Sequence, residues 1–290
     1  MSEPTAVLAL HGGAGALAGA DYSAEVEHMH GLIEAGRDRL RAGATALDVV
    51  VETVADLEAS GLYVAGRGAS PNTAGRYELD AAVMEGPGRG LGAVAALEGF
   101  AAPIRVARAV MEKTPHVLLA GAGAAAFAGD ENFEAIDDPQ AWFTRVGRKR
   151  RAPTALSTGT VGCVVRDRSG ALAAGTSTAG ILGKLWGRVG DSPIAGAGLW
   201  ADDLVAVSCT GTGEMFVRAA AGAQVSFRMR LAGETLSAAA GAALEDVRAL
   251  GGSGGLIAVS ASGEIVMPFN TEGMKRGALL ADGTITAEVF

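Results

Sequence analysis

Two spacings of apolar residues alternate along this chain. "AVLAL" (Ala6–Leu10) is a short apolar run that ends at "HGGAGA", which predicts a buried strand entering a glycine loop. From about Ala24 to Leu40 the pattern is polar and amphipathic. In "TALDVVVETVADLEA", Leu47, Val50, Val51, Val54 and Leu57 fall on one helical face, with Thr45 as the N-cap and Asp48 three residues on. "GLYVAGRGASPNTAGRYELDAAVMEG" (Gly61–Gly86) predicts a loop and then a strand, and "PIRVARAVMEK" (Pro103–Lys113) a helix with proline in its first turn. The charged, weakly periodic stretch "DENFEAIDDPQAWFTRVGRKRRAPTALSTG" predicts a mobile linker.

Beyond Thr160 the texture changes. "TVGCVVRDRSGALAAGTST" reads as a hairpin, "LVAVSCTGTG" as a strand running into glycine, "ETLSAAAGAALEDVRAL" as a helix closed by Gly251-Gly252, and "GGLIAVSASGEIVMPF" as a second hairpin. Hairpins in one block and helices in others predict α+β layers with mostly antiparallel sheet, not a doubly wound βαβ repeat.

Composition narrows the function classes. The 290 residues are 49% hydrophobic, which places the chain among globular proteins with a sizeable core. A net charge of −8 gives no concentrated basic face for a nucleic acid. The basic run Arg145–Pro153 reads as a solvated loop. Cys163 and Cys209 are too few for a secreted disulfide framework, no run of 18 apolar residues could span a bilayer, and the first residues lack a basic n-region. A cytoplasmic location is expected.

Familiar cofactor motifs fit poorly. "GAGALA" (Gly13–Ala18) matches a relaxed dinucleotide fingerprint, but two helices follow it rather than a helix and a strand ending in an acid. "AGILGKL" (Ala179–Leu185) has the wrong glycine spacing for a P-loop and Leu185 where Ser or Thr should sit. His28 and His30, two apart and without a C-x-x-C, read as solvated side chains rather than zinc ligands.

Threonine-rich glycine loops carry the remaining chemistry: "STGTVG" around Thr160, "GTSTAG" around Thr178, "GRVGDSP" with Arg188 and Asp191, and "SCTGTGE" with Thr210 and Gly211. On pattern alone Thr160 is simply the start of a core strand. Together with "HGGAGA", "ELDAAVMEG", "TPHV", "TSTAGILGKLWGRVGDSPIAGAG" and "PFNTEGM", however, these loops run in order along essentially the whole chain. In that they resemble the plant-type asparaginases and isoaspartyl peptidases, which are N-terminal-nucleophile hydrolases.

The resemblance implies an αββα sandwich of four layers, formed by one domain. It implies autocleavage between Gly159 and Thr160 into an α fragment (1–159) and a β fragment (160–290), which pair as a dimer of such heterodimers. The new α-amine would serve Thr160 as its base. An α-amine titrates near 7.7–8.0, so much of it is neutral at working pH, and no histidine is obvious for the task. The same resemblance assigns Thr178 a hydrogen bond to the nucleophile, Arg188 and Asp191 the grip on the substrate's α-carboxylate and α-ammonium, and Thr210 and Gly211 the oxyanion hole. The implied substrates are β-aspartyl dipeptides and asparagine. No cofactor is implied, apart from a structural sodium on main-chain carbonyls of Leu62–Gly68. Two departures stand out: Val64 occupies the place of the family's usual Asn, and "RGASPNTAGRYELD" inserts Pro71 and Asn72. A glycosylasparaginase-like hydrolase, a processing-dead binding protein and a nucleotide-dependent enzyme using "GAGALA" are the alternatives. The Thr158-Gly159 pair before Thr160, where glycosylasparaginases have His-Asp, favours the isoaspartyl peptidase branch.

Overall fold

A computed structural model describes residues 5–146 and 159–290. Strand β1 (Val7–Ala16) is followed by helices α1 (Ser23–Arg41) and α2 (Ala46–Ser60), strands β2 (Leu79–Glu85) and β3 (Leu91–Leu97), and helix α3 (Pro103–Lys113). Next come β4 (Leu118–Ala120), α4 (Gly121–Asp130) and the short α5 (Pro139–Trp142). The second part holds β5 (Val161–Arg166), β6 (Leu172–Thr178), β7 (Leu199–Ala201), β8 (Val205–Gly211), α6 (Gly213–Ala219), α7 (Ala221–Ala232), α8 (Leu236–Ala249), β9 (Gly254–Ser260), β10 (Ile265–Val266), β11 (Gly273–Leu279) and β12 (Ile285–Glu288).

The strands form two sheets. The larger runs β12-β11-β1-β5-β6-β2-β3-β4 and the smaller β10-β9-β8-β7. Every pairing between strands is antiparallel except β3 with β4. Alternate residues of β1 explain the layering. Leu8 and Leu10 point into a core shared with Ile33 of α1, Val50 and Val54 of α2 and Ile104 of α3. Val7 and Ala9 point the other way, against Ala206, Ile257 and Val259 of the smaller sheet. The smaller sheet's outer face packs Val207, Leu256 and Ala258 on Val225 of α7 and on Ala239 and Ala243 of α8. These are the four layers, αββα. Strands buried on both faces lose the apolar/polar alternation of a half-exposed strand, which is why "AVLAL" and "TVGCVV" read as continuous apolar runs.

Helix signals in the sequence match the structure closely. Asp48 N–H donates to the Thr45 hydroxyl at 3.1 Å and that hydroxyl donates to the Asp48 carboxylate at 2.7 Å, tying the start of α2. Gly61 ends it in the left-handed conformation, φ 70°.

The expected linker is corrected over its described part. Residues 131–146 are anchored: Ile136 N–H donates to the Gly99 carbonyl at 2.8 Å, the Thr144 hydroxyl to the Gly61 carbonyl at 2.8 Å, and Phe143 stacks on Tyr77 with centroids 4.0 Å apart. Each anchor is a single contact rather than a face, so no period betrays it. Asp138 caps α5 through Gln140 N–H at 2.9 Å. In the basic run, Arg145 donates from Nε to the Tyr77 hydroxyl at 2.9 Å rather than standing in solvent. Residues 147–158, the rest of the linker and of the basic run, lie outside the described residues.

Candidate active site

Strand β5 begins one residue after Thr160, and Thr160 is buried. Its hydroxyl lies 3.2 Å from the Thr178 hydroxyl at the end of β6. Register explains the meeting: Val161 pairs with Ser177, so Thr160 falls beside Thr178 at the same end of an antiparallel pair. A small pocket there is lined by Gly159, Thr160, Thr178, Gly180, Ile181, Arg188, Asp191 and Gly211. Six of the seven residues singled out in the sequence are thus brought together around one space, Thr210 being the exception. Thr210 is buried just outside the lining, with its Oγ1 accepting from Ala14 N–H at 3.2 Å.

The loop "HGGAGA", read above against a dinucleotide site, is part of this centre. Glycine loop and helix are not joined: β1 bulges through it and α1 starts only at Ser23. At Gly13, φ is 99° and an added Cβ would sit 2.8 Å from the Gly159 Cα, so only glycine lets the backbone lie against the Gly159–Thr160 bond. Val64 covers the same bond from the other side; a Cβ on Gly159 would meet it at 2.8 Å.

His11 was not foreseen as a site residue. It is fully buried, and burial pushes its pKa down to about 3, so the ring is neutral. Nδ1 lies 3.0 Å from the Thr160 carbonyl, which can only accept, so Nδ1 carries the proton and donates. Nε2 then accepts from the Ser208 hydroxyl at 2.9 Å, and Ser208 in turn meets the Thr176 hydroxyl at 2.7 Å. This chain of hydrogen bonds joins β1, β6, β8 and the residue that leads into β5 across both sheets. It holds the Thr160 carbonyl rather than its hydroxyl, consistent with a nucleophile whose base is not a histidine. Gly162 admits it: a Cβ there would stand 2.0 Å from Ser208 Oγ and 2.6 Å from His11 Nε2. His28 meets the Tyr63 hydroxyl through Nδ1 at 3.2 Å and is only partly solvated.

Arg188 and Asp191 sit in the pocket wall without pairing to each other. Arg188 is gripped by Glu214 of α6, with Nε donating to Oε1 at 2.9 Å and Nη2 to Oε2 at 3.0 Å. Asp191 is buried, its Oδ2 has no hydrogen-bond partner, and burial raises its pKa to about 7. An unsatisfied carboxylate oxygen on a residue that lines the pocket suits an ammonium ligand. The loop bearing both is braced from below. Lys184 Nζ donates to the Glu78 carbonyl at 2.9 Å, Gly187 N–H to Glu78 Oε1 at 2.9 Å, and Asn72 Nδ2 to Glu78 Oε2 at 2.8 Å. The inserted Pro71-Asn72 is therefore a built turn: Asn72 Oδ1 accepts from Ala74 and Arg76 N–H at 2.8 and 3.0 Å.

Among the described residues no cluster of three or more His, Cys, Asp or Glu could hold a metal ion. The carbonyls of Gly61, Val64, Ala65 and Gly66 each accept one hydrogen bond, and that of Arg67 accepts two from Thr144. The first four keep a second lone pair, and a carbonyl oxygen is the kind of donor a hard cation takes. Among the described residues no helix is long and apolar enough to cross a membrane.

Comparison with known proteins identifies the family. The asparaginase family model matches residues 4–150 and 140–288. The chain is 42% identical over 308 residues to an isoaspartyl peptidase of Salmonella typhimurium, covering 98% of each protein. It is 42% identical over 309 residues to an isoaspartyl peptidase of Escherichia coli, covering 98% of this chain and 96% of that one. A plant-type L-asparaginase of Pyrobaculum calidifontis is 37% identical over 290 residues, 93% of this chain and 95% of its own length. The chain belongs to the asparaginase family.

Proposed function

We propose that this protein hydrolyses the β-amide bond of isoaspartyl dipeptides and of L-asparagine, with Thr160 as nucleophile. The observation that carries the reading is the Thr160 hydroxyl, 3.2 Å from that of Thr178, facing a pocket walled by Arg188 and Asp191. Its first event is cleavage of Gly159–Thr160, which separates 1–159 from 160–290 and frees the Thr160 α-amine. That amine takes the hydroxyl proton as Oγ1 attacks the β-carbonyl. The Gly211 N–H and the Thr210 hydroxyl stabilise the oxyanion, with Thr210 turning its proton from outside the pocket lining. The C–N bond breaks, the proton passes to the departing amine or ammonia, and water releases aspartate from the ester. Arg188 takes the α-carboxylate and Asp191 the α-ammonium, so a free α-amino acid end is required. Dipeptides are placed before asparagine because the relatives of highest identity described above are named isoaspartyl peptidases. A sodium on the carbonyls of the loop 62–68 would only stiffen the segment carrying Val64. A dimer of such heterodimers and a cytoplasmic location belong to the same proposal.

Intact mass of the purified chain, with hydrolysis rates on β-Asp-Leu and asparagine, tests it. We expect two fragments starting at Met1 and Thr160, turnover of both substrates, and neither cleavage nor turnover in Thr160→Ala. A Thr160→Ala protein with full activity would refute the assignment, and an active protein that stays whole would refute the processing step.

A further inference from the structure

Arg188 must present a guanidinium edge to a substrate carboxylate, yet an arginine side chain alone has many rotamers. Three backbone features confine its plane. An added Cβ would meet Arg188 Nη1 at 3.3 Å from Gly180 and at 2.8 Å from Gly190, and Nη2 at 3.1 Å from Gly213. The head therefore lies in a slot floored by three glycines, closed to any larger residue. Within that slot one carboxylate takes one edge: Glu214 accepts from Nε and Nη2. No other carboxylate among the described residues comes within 4.0 Å of Arg188. Nη1 lies on the side of Gly180, a residue of the pocket lining. Glu214 itself stands half-exposed at the first turn of α6, outside that lining.

We infer that Glu214 is a positioning residue for substrate binding: it holds Arg188 by its Nε edge and turns the Nη1 edge toward the pocket, where the α-carboxylate docks. The inference rests on the role of Arg188 given under the proposed function. Guanidinium is a planar fork with donors on more than one edge, so a carboxylate on the Nε side leaves a second pair of N–H groups for a ligand. Without Glu214 the side chain must be ordered by the substrate, and that ordering is subtracted from binding. The chemistry at Thr160, on the other side of the pocket, does not involve Glu214.

The test is steady-state kinetics on asparagine with Glu214→Ala, Glu214→Gln, Arg188→Ala and the Glu214→Ala/Arg188→Ala double variant. Each protein is first checked for complete cleavage and an unchanged circular dichroism spectrum. Glu214→Ala should raise KM about three- to tenfold, the range expected for ordering one flexible side chain, with kcat within about twofold. Glu214→Gln, which keeps an acceptor oxygen and the length, should lie between it and the unsubstituted protein. In the Arg188→Ala background, Glu214→Ala should change kcat/KM no further, because its only route to the substrate is gone. A lower KM in Glu214→Ala would show that Glu214 competes with the substrate for Arg188 and would overturn the inference. So would an unchanged KM, an equal fall in kcat, or a loss in the double variant that adds to that of Arg188→Ala. If Arg188→Ala itself leaves KM unaltered, the role of Arg188 fails first. If Arg188→Ala raises KM and Glu214→Ala does not, the inference fails alone.

Discussion

Gly162→Ala puts the hydrogen-bond chain behind the nucleophile to a direct trial. The added methyl would stand 2.0 Å from Ser208 Oγ, 3.0 Å from Ser208 Cβ and 2.6 Å from His11 Nε2. None of these neighbours can withdraw into solvent, because His11 and Ser208 are fully buried between the two sheets. Either β5 shifts away from β8, or the His11–Ser208 bond breaks and leaves buried polar atoms unpaired. Overpacking of this kind costs about 1–3 kcal/mol, and an unsatisfied buried polar group about 1–3 kcal/mol more. The expected loss is roughly 2–5 kcal/mol, a large share of ordinary domain stability. In a chain of this size that lowers the melting temperature by about 5–15 °C. The assay is thermal and urea unfolding in a Thr160→Ala background, which keeps each variant as one chain under the proposed mechanism. Ser208→Ala removes the nearest atom, so the Gly162→Ala/Ser208→Ala pair should be less damaging than the sum of the singles by at least about 1 kcal/mol. A Gly162→Ala protein within about 0.5 kcal/mol of its parent, or strictly additive singles, would refute the claim that Gly162 is there to admit this network.

Asp191 must be ionised to accept an α-ammonium, and its pKa stands near 7, raised first by burial and further by the like charges of Glu214 and Asp80 against the opposing Arg188. KM for asparagine should therefore climb as pH falls below about 7, approaching tenfold per unit, in a pH series of initial rates; a KM flat from pH 8 to 5 would contradict it. Glu58, fully buried on α2, accepts from Ile104 N–H at 3.2 Å, and burial pushes its pKa up to about 8 from 4.5. Between those values the folded chain holds a proton that the unfolded chain has lost, so stability contributed by this group is present below about pH 4.5 and declines as pH rises toward 8. Glu58→Gln should remove that decline, measured as melting temperature at pH 5 and pH 8; an unchanged difference between the two would show that Glu58 is not the source.

The central strands, the helices α2, α3 and α8 and the order of the glycine-threonine loops were legible because each is written locally. Period 3.6 marks a face, period two or an unbroken apolar run marks a strand, and Thr45, Pro103 and Gly251 punctuate them. Thr160, Thr178, Arg188 and Asp191 were singled out for another reason: their motifs follow one another along the chain in the order of the family they resemble, and the structure gathers them around one pocket. His11, Ser208, Thr176 and Glu214 were in quoted motifs but carried no assigned role. His11 meets Thr160 across 149 positions and Ser208 across 197, distances over which no periodicity operates. The linker failed as a reading for a related reason: its anchors Ile136, Phe143 and Thr144 each bind separately to residues far away in the chain.

By itself, then, the sequence determined which segments extend, which coil, and which loops bear hydroxyls, a cation and a carboxylate. Only the tertiary structure decided how those groups face one another. Antiparallel register sets Thr160 beside Thr178. Stacking of the two sheets lets His11 and Ser208 reach each other through the space that Gly162 leaves. Folding of α6 against the Arg188 loop brings Glu214 to the guanidinium. Local propensity acts over a few residues, whereas a hydrogen bond is decided by ångströms of approach between elements, and those are set only when the layers pack.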